Sequence, residues 1–190
     1  MLLKNGITFS EKGSGSLPII CLHGIGGDNL SFEHQLDDLS KSARIISWNM
    51  PGYNGSLPLE EMSFKNLSER LLKFLDDLKV DKAILLGQSI GGMIAQEFYF
   101  HFPERVQGLI LIATTSAFGG KNEDFKKSFL EARLKPLNSG RNMYELAKSF
   151  IPEILNDSAS KEVISHAINS MSKIPLNIYK QVIECLITFD

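Results

Sequence analysis

The chain has 190 residues, of which 43% are hydrophobic and 22% charged, a composition that suits one soluble globular domain with a sizeable core. Its formal net charge is −2 and its charges are interspersed, so nothing would gather nucleic acid or anionic lipid. We therefore expect a small, uncharged or weakly charged partner, with no nucleic acid and no membrane. No stretch approaches the ~20 apolar residues of a membrane span, and the first residues are no signal peptide, which predicts a cytoplasmic protein. Composition leaves the oligomeric state open.

The two cysteines lie in different predicted elements, Cys21 in a buried strand and Cys185 on a helix. They have neither metal-ligand spacing nor a disulfide framework around them. We predict two reduced, buried thiols, and we expect no metal and no cofactor.

The first part of the chain alternates predicted strands and helices. Strands are predicted over 6–10, 17–22 and 43–48, and the weak alternation of the first is typical of a sheet edge. Amphipathic helices are predicted over 29–41 and from Ser63 to about Val80. This alternation favours a mostly parallel sheet in an α/β fold.

A glycine-rich loop, His23-Gly-Ile-Gly-Gly27, directly follows the second predicted strand. Such a loop leaves backbone N–H groups unpaired above the carboxyl ends of the strands, although by itself it equally fits a flexible connection. His23 ends its own strand, so we expect its ring to brace the loop and not to act as a catalytic base. A second loop, Asn49-Met-Pro-Gly-Tyr-Asn-Gly-Ser56, reads as structural, because its turn needs glycines for positive φ.

Residues 82–96 predict a buried strand that breaks directly into a helix, with Ser89 at the corner. Gly87 and Gly91 flank the serine at two residues on either side, where a Cβ would collide with the opposite arm of the turn. The alternative is a serine that merely fills a glycine-rich turn. We favour a nucleophile, with the N–H groups of Ile25 and Ile90 forming the two halves of an oxyanion hole.

The strand predicted over 108–113 is apolar throughout, as in strands covered on both faces, and only helical patterns follow it. We divide the chain into residues 1–116, the first part of the core, and residues 117–190, a helical cap.

Apolar cap residues at helical spacing fit a pocket lining or ordinary packing, and we favour packing. We expect His166 to be a solvated cap residue, and His34 and His101 to lie away from the chemistry. Cap helices are predicted over 124–134, 142–150, 158–171 and 175–188; the cap residues weighed as a lining are Phe125, Phe129, Met143, Phe150, Ile164, Ile168 and Met171.

Four motifs together resemble the α/β-hydrolase family. They are the His-Gly-Ile-Gly loop from His23, the Trp48-Asn-Met-Pro-Gly-Tyr53 loop, the Gly-Gln-Ser-Ile-Gly-Gly elbow around Ser89, and the run Phe102-Pro-Glu-Arg-Val106. The chain is most similar to capped bacterial serine hydrolases, a group with 3-oxoadipate enol-lactonases, carboxylesterases and hydrolases of ring-cleavage products. The resemblance covers residues 6–113 closely and the cap loosely, and it assigns Ser89 as nucleophile and Ile25 and Ile90 as oxyanion donors. Gln88 replaces a more frequent histidine, and Asn54 a common glycine.

In this family the catalytic aspartate and histidine follow the cap, on further strands. The chain reaches Asp190 without such strands and without a histidine after the cap. We therefore expect a fragment of a longer enzyme with the acid and base beyond residue 190, and a 190-residue chain that is poorly soluble and nearly inert. The strand over 108–113 would then form an open edge beside uncovered apolar surface.

The sequence predicts a serine hydrolase that acts on an ester, a lactone or a related carbonyl substrate. Two alternatives stay open. The first is a non-catalytic remnant that binds a small molecule between elbow and cap, since no acid and base partner for Ser89 is evident. The second is cofactor-free oxidation by a peracid at the same serine, as in haloperoxidases and perhydrolases of this family.

Overall fold

A six-stranded mixed sheet forms the centre of the protein, and the computed structural model describes residues 1–190. The strands lie in the order β1-β2-β4-β3-β5-β6. β1 and β2 are antiparallel to their neighbours, whereas β4, β3, β5 and β6 run parallel, so the carboxyl ends of four strands meet at one edge. The predicted α/β fold with a mostly parallel sheet is therefore confirmed. The strands are β1 (Leu2–Lys4), β2 (Ile7–Lys12), β3 (Ile19–Leu22), β4 (Ile45–Trp48), β5 (Ala83–Gln88) and β6 (Val106–Ile112).

Seven α-helices surround or follow the sheet, together with 3-10 turns at Asn29–Phe32 and Pro103–Arg105. Three helices lie between strands, and four come after the last strand, as predicted. None of them is long and apolar enough to cross a membrane. The helices are α1 (Glu33–Leu39), α2 (Phe64–Asp77), α3 (Ile90–His101), α4 (Glu123–Asn138), α5 (Met143–Ile154), α6 (Lys161–Ser172) and α7 (Leu176–Leu186).

The alternation of side chains along the strands buries both faces of the sheet. One face carries Ile20, Trp48 and Leu85 in a large core with α2 and α3, while Cys21 and Ile45 join a small cluster with α1 on the other face. The predicted period of α2 is confirmed, and Ser63 caps it by accepting a hydrogen bond from the Asn66 N–H. Both cysteines are buried and unpaired, and burial raises the pKa of each thiol to about 12.

Two sequence-based expectations about the first part of the chain are wrong. The strand over 6–10 is no edge, because β1 pairs with β2 and takes that position; three exposed residues are too short a pattern to detect. The helix expected over 29–41 begins as a 3-10 turn, which Asp28 caps by accepting from the Leu30 N–H. The α-helical part is therefore only α1.

The last strand, β6, forms the other edge of the sheet. Its second half is not covered, since Ile110, Leu111 and Ile112 are 43%, 43% and 44% exposed. The apolar sequence of β6 predicts a strand buried on both faces. The exposure of these three residues shows that this expectation is wrong for the second half of the strand. The expectation of uncovered apolar surface at this edge agrees with these exposures.

The four helices after β6 pack over the edge where the parallel strands end. Met171 lies against Gly26, Ile178 against Gly52, and the rings of Phe64 and Phe189 are 4.7 Å apart. Five of the seven apolar residues weighed as a pocket lining pack in or against the main core instead, and only Phe150 among the seven also lines the cavity described below. The five are Phe129, Met143, Phe150, Ile168 and Met171. The boundary between residues 116 and 117 stays a prediction.

Candidate active site

Ser89 lies at a sharp turn between β5 and α3. Its φ of 55° and ψ of −122° put a non-glycine residue in a backbone region that costs about 1–3 kcal/mol. The neighbours hold this conformation: the Ser89 N–H donates to the Ile112 carbonyl at 3.0 Å, and the Thr114 hydroxyl donates to the Ser89 carbonyl at 2.8 Å. A strained residue kept in place by its surroundings is typical of a functional site.

The glycines around Ser89 let three segments approach each other closely. A Cβ on Gly91 would collide with the Leu22 carbonyl oxygen, and one on Gly87 would collide with the Gly91 carbonyl oxygen. A Cβ on Gly92 would lie 2.7 Å from Cγ2 of Thr114. The predicted collision with the opposite arm of the turn is confirmed for Gly87, whereas Gly91 lacks a Cβ because the turn sits against the end of β3.

The loop after β3 places a free backbone donor on the same cavity as Ser89. The Ile25 N–H donates to no backbone acceptor, while the Gly27 N–H closes a turn onto the Gly24 carbonyl at 3.0 Å. The Tyr53 hydroxyl donates to the Ile25 carbonyl at 3.0 Å, which ties the loop after β3 to the loop after β4. Ile90 is the first residue of α3, so its N–H has no partner within the helix.

His23 is fully buried, and both of its ring nitrogens are bonded to backbone. Nδ1 lies 2.8 Å from the Gly24 carbonyl oxygen, and Nε2 accepts from the Met50 N–H at 3.0 Å. Because Nε2 accepts, the proton is on Nδ1, and burial lowers the pKa of the ring. His23 therefore braces the loop, as expected, and neither nitrogen is free to accept a proton from Ser89.

A cavity of about 750 Å³ opens above Ser89 between the sheet edge and the helices α5 and α6. The loop after β3 and the start of α1 form one wall, and the two helices form the other. The lining has no lysine or arginine. Its residues are Gly24, Ile25, Gly26, Gly27, Leu30, Ser31, Glu33, His34, Gln88, Ser89, Ala113, Phe150, Ile151, Ile154, Leu155, Glu162, Val163, His166, Ala167 and Ser170.

Two histidines lie closer to this site than the sequence indicated. His34 and His166 line the cavity from opposite walls, although both side chains are largely exposed. The expectation that His34 lies away from the site is wrong, because the start of α1 forms part of the cavity wall, and His166 is exposed but also lines the cavity. His101 does not line the cavity, and its Nε2 lies 3.1 Å from a carboxylate oxygen of Glu97. None of the four histidines forms a hydrogen bond with Ser89.

Sequence reasoning missed two further residues. The motif around Tyr53 indicates only a structural turn, whereas its hydroxyl joins two loops by bonding to the Ile25 carbonyl. For Ser170, which lines the cavity, the available signal is the spacing of Glu162, His166 and Ser170, four residues apart on one helix face. No group of three or more histidine, cysteine, aspartate or glutamate residues is arranged to hold a metal ion.

A family model described as the alpha/beta hydrolase fold matches residues 18–144. The chain belongs to the α/β-hydrolase fold family. The matched range includes β6, the elbow around Ser89 and the loop that follows β3. The elbow and this loop both line the cavity.

Several relatives of this α/β-hydrolase fold chain are known. One relative is the dihydrolipoyllysine-residue acetyltransferase component of the acetoin cleaving system of Pseudomonas putida, which is 34% identical over 127 residues. The aligned region covers 65% of this chain and 34% of that protein. The chain thus spans about a third of the length of the curated relatives it matches.

Solved structures share the fold at lower sequence identity. The enol-lactonase from Burkholderia xenovorans LB400 matches with a TM-score of 0.85 at 19% identity, over 98% of this chain and 73% of that one. A thermophilic esterase from Thermogutta terrifontis matches with a TM-score of 0.80 at 22% identity, over 96% of this chain and 66% of that one. At these identities the likeness establishes the fold.

Proposed function

We propose that the protein is a serine hydrolase that acts on an ester, a lactone or a related carbonyl substrate. The single observation that carries this proposal is the strained Ser89, held at φ 55° between β5 and α3 on the floor of the cavity. A serine without a chemical role would gain nothing from this conformation, since its strain costs folding free energy.

In the proposed reaction, Oγ of Ser89 attacks the substrate carbonyl carbon and forms a tetrahedral intermediate. The carbonyl oxygen becomes negatively charged, and the N–H groups of Ile25 and Ile90 donate to it. The N-terminus of α3 adds a favourable potential at the same place. Collapse of the intermediate expels the alkoxide, which takes up the proton that the Ser89 hydroxyl lost to a general base during the attack, and leaves an acyl-serine, which water then hydrolyses.

The family membership and the names of related structures support hydrolysis in general terms. The esterase and the enol-lactonase share this fold, and both names refer to hydrolysis of a carboxylic ester or lactone. The name of the Pseudomonas putida relative refers to acetyl transfer, which also moves an acyl group. The family supports hydrolysis in general, and we propose more specifically that the substrate is an ester or a lactone.

A fluorophosphonate probe tests the proposal, because it phosphonylates only an activated serine. We expect labelling of the natural gene product at Ser89, identified in the peptide that spans residues 83–105, and no labelling of Ser89→Ala. A matched control is Ser165→Ala, which removes an exposed serine of α6 outside the cavity and should leave labelling intact. Labelling at another residue, or none, would overturn the assignment.

One observation favours a second candidate, binding without turnover. Ser89 has no hydrogen bond from any histidine, and a serine without an adjacent base is a weak nucleophile. Hydrolysis of p-nitrophenyl acetate, measured in the wild type and in Ser89→Ala, distinguishes the two candidates. Turnover in the wild type that Ser89→Ala abolishes supports the hydrolase. A ligand-induced rise in melting temperature without turnover supports binding alone.

A further inference from the structure

We propose that Gln88 is a positioning residue for the reaction, because its side chain sets the place of the peptide between Gly24 and Ile25 relative to Ser89. This inference rests on the proposed function, since that peptide carries the Ile25 N–H, one of the two proposed oxyanion donors. Gln88 acts through the loop after β3 and not through a contact with the substrate.

The side chain of Gln88 reaches from the nucleophile strand to this loop. Gln88 is the last residue of β5 and directly precedes Ser89. A Cβ on Gly24 would collide with Oε1 of Gln88 and lie 3.1 Å from its Cδ. Because Gly24 in turn directly precedes Ile25, this one contact joins the two sides of the proposed oxyanion hole.

Gln88 is also the reason for the glycine at position 24. Gly24 does not have a positive φ, so its backbone is compatible with an alanine. The three atoms nearest to an added Cβ all belong to the Gln88 side chain. The loop and the end of this glutamine therefore share one space, and neither can change without moving the other.

The orientation of the Gly24 carbonyl decides where the Ile25 N–H points. The carbonyl oxygen accepts from the Gly27 N–H at 3.0 Å and lies 2.8 Å from Nδ1 of His23. A trans peptide is planar, so the Ile25 N–H points in the direction opposite to this carbonyl. A shift of Gly24 against Gln88 is therefore passed directly to the oxyanion donor.

The contact between Gln88 and Gly24 is one of packing. Gln88 is half-buried and lines the cavity, and its amide is not among the buried polar groups that lack a partner. The end of a glutamine side chain is flexible, so it can move into the cavity when a methyl group is added at Gly24. Substitutions at these two positions should therefore change the geometry of the loop without unfolding the protein.

Steady-state kinetics of the natural gene product with p-nitrophenyl butyrate test the inference. We expect Gln88→Ala and Gly24→Ala each to lower kcat by about tenfold at unchanged KM, since a misplaced donor acts only in the transition state. Both changes disturb the same contact, so the double variant should also lose about tenfold, and not the ~hundredfold of independent changes. Gln88→Met keeps the length of the side chain and should restore kcat to within about threefold of the wild type. Gln107→Ala is the matched control, because Gln107 is exposed on β6 and lies outside the cavity.

Two kinetic results would overturn the inference. If Gln88→Met is as slow as Gln88→Ala, the amide acts through hydrogen bonding and not as a spacer. If the double variant loses the full product of the two single effects, the two residues act independently.

The amide resonance of Ile25 in NMR spectra gives a readout that needs no turnover. Residues 25 and 88 are far apart in the chain, so a substitution at Gln88 reaches this resonance through the loop contact. We expect Gln88→Ala to shift it, and Gln88→Met and Gln107→Ala to leave it near its wild-type position. An unmoved resonance in Gln88→Ala overturns the inference whether or not the protein hydrolyses esters. A shifted resonance in a protein without Ser89-dependent turnover refutes the hydrolase and keeps Gln88 as the residue that positions the loop.

Discussion

The Met50 N–H donates a 3.0 Å hydrogen bond to Nε2 of His23, and this joins the loop after β4 to the loop after β3. A proton on Nε2 would face that N–H donor, so the folded protein requires the neutral ring. Burial lowers the pKa of His23 below its ordinary value of 6.5, and in the unfolded chain the ring takes up a proton more readily. The unfolded state therefore binds more protons than the folded state below about pH 6.5.

We predict that the contribution of His23 to stability is fully present above pH 6.5 and is lost as the pH falls through its lowered folded pKa. Urea unfolding at pH 7.5 and pH 5.0 measures the change. The same comparison in His23→Gln, which cannot titrate, should show a smaller pH dependence. Equal slopes in the wild type and His23→Gln would contradict the prediction.

The turn around Ser89 should not tolerate a side chain at Gly91. In Gly91→Ala the new Cβ would collide with the Leu22 carbonyl oxygen, an atom of a central strand that has no room to move. We expect a loss of about 3 kcal/mol or more in the free energy of unfolding, together with loss of probe labelling at Ser89. Gly108→Ala is the matched control: no atom lies within 4 Å of its added Cβ, and stability should change little.

Tyr53 should influence the reaction without touching the substrate. Tyr53→Phe removes the hydrogen bond to the Ile25 carbonyl and leaves the Ile25 N–H less firmly placed. We expect a fall of about tenfold in kcat, below the ~10²–10³-fold for loss of a whole oxyanion donor, and a cost of about 1 kcal/mol in stability. Steady-state kinetics and urea unfolding measure the two effects. In Tyr99→Phe, which alters a half-exposed tyrosine of α3 that does not line the cavity, kcat should be unchanged.

The edge strand β6 should cause the 190-residue chain to self-associate. Its backbone is unpaired on one side, and Ile110, Leu111 and Ile112 are each more than 40% exposed. Such an edge pairs with other chains, and an inserted charge opposes the pairing. Sedimentation velocity should show concentration-dependent association that Ile112→Lys reduces. Lys127→Ala, a change on an exposed face of α4, should have no comparable effect. A monodisperse wild-type chain would contradict this expectation.

Features with a local cause were predictable from the sequence, and features that depend on long-range contacts were not. The turn around Ser89 was predictable because its sequence signal is local: a buried strand is followed at once by a helix, with Gly87 and Gly91 on either side of the serine. What Gly91 and Gly92 make room for, Leu22 and Thr114, lies in other segments and appears only in the structure. The burial of the cysteines and the order of the main elements followed from periodicity in the same way. The edge strand β1 was not predictable, because three exposed residues carry no period.

The amino-acid sequence by itself determined the α/β fold, the position of Ser89 at its turn and the helical nature of the second part of the chain. Only the tertiary structure decided which side chains share the cavity, namely His34 from α1 and His166 and Ser170 from α6, and that Tyr53 bonds to the Ile25 carbonyl. The physical reason is that backbone periodicity and glycine spacing act over a few residues. Contacts across the cavity depend instead on how elements more than 70 residues apart pack against each other, as when Met171 meets Gly26.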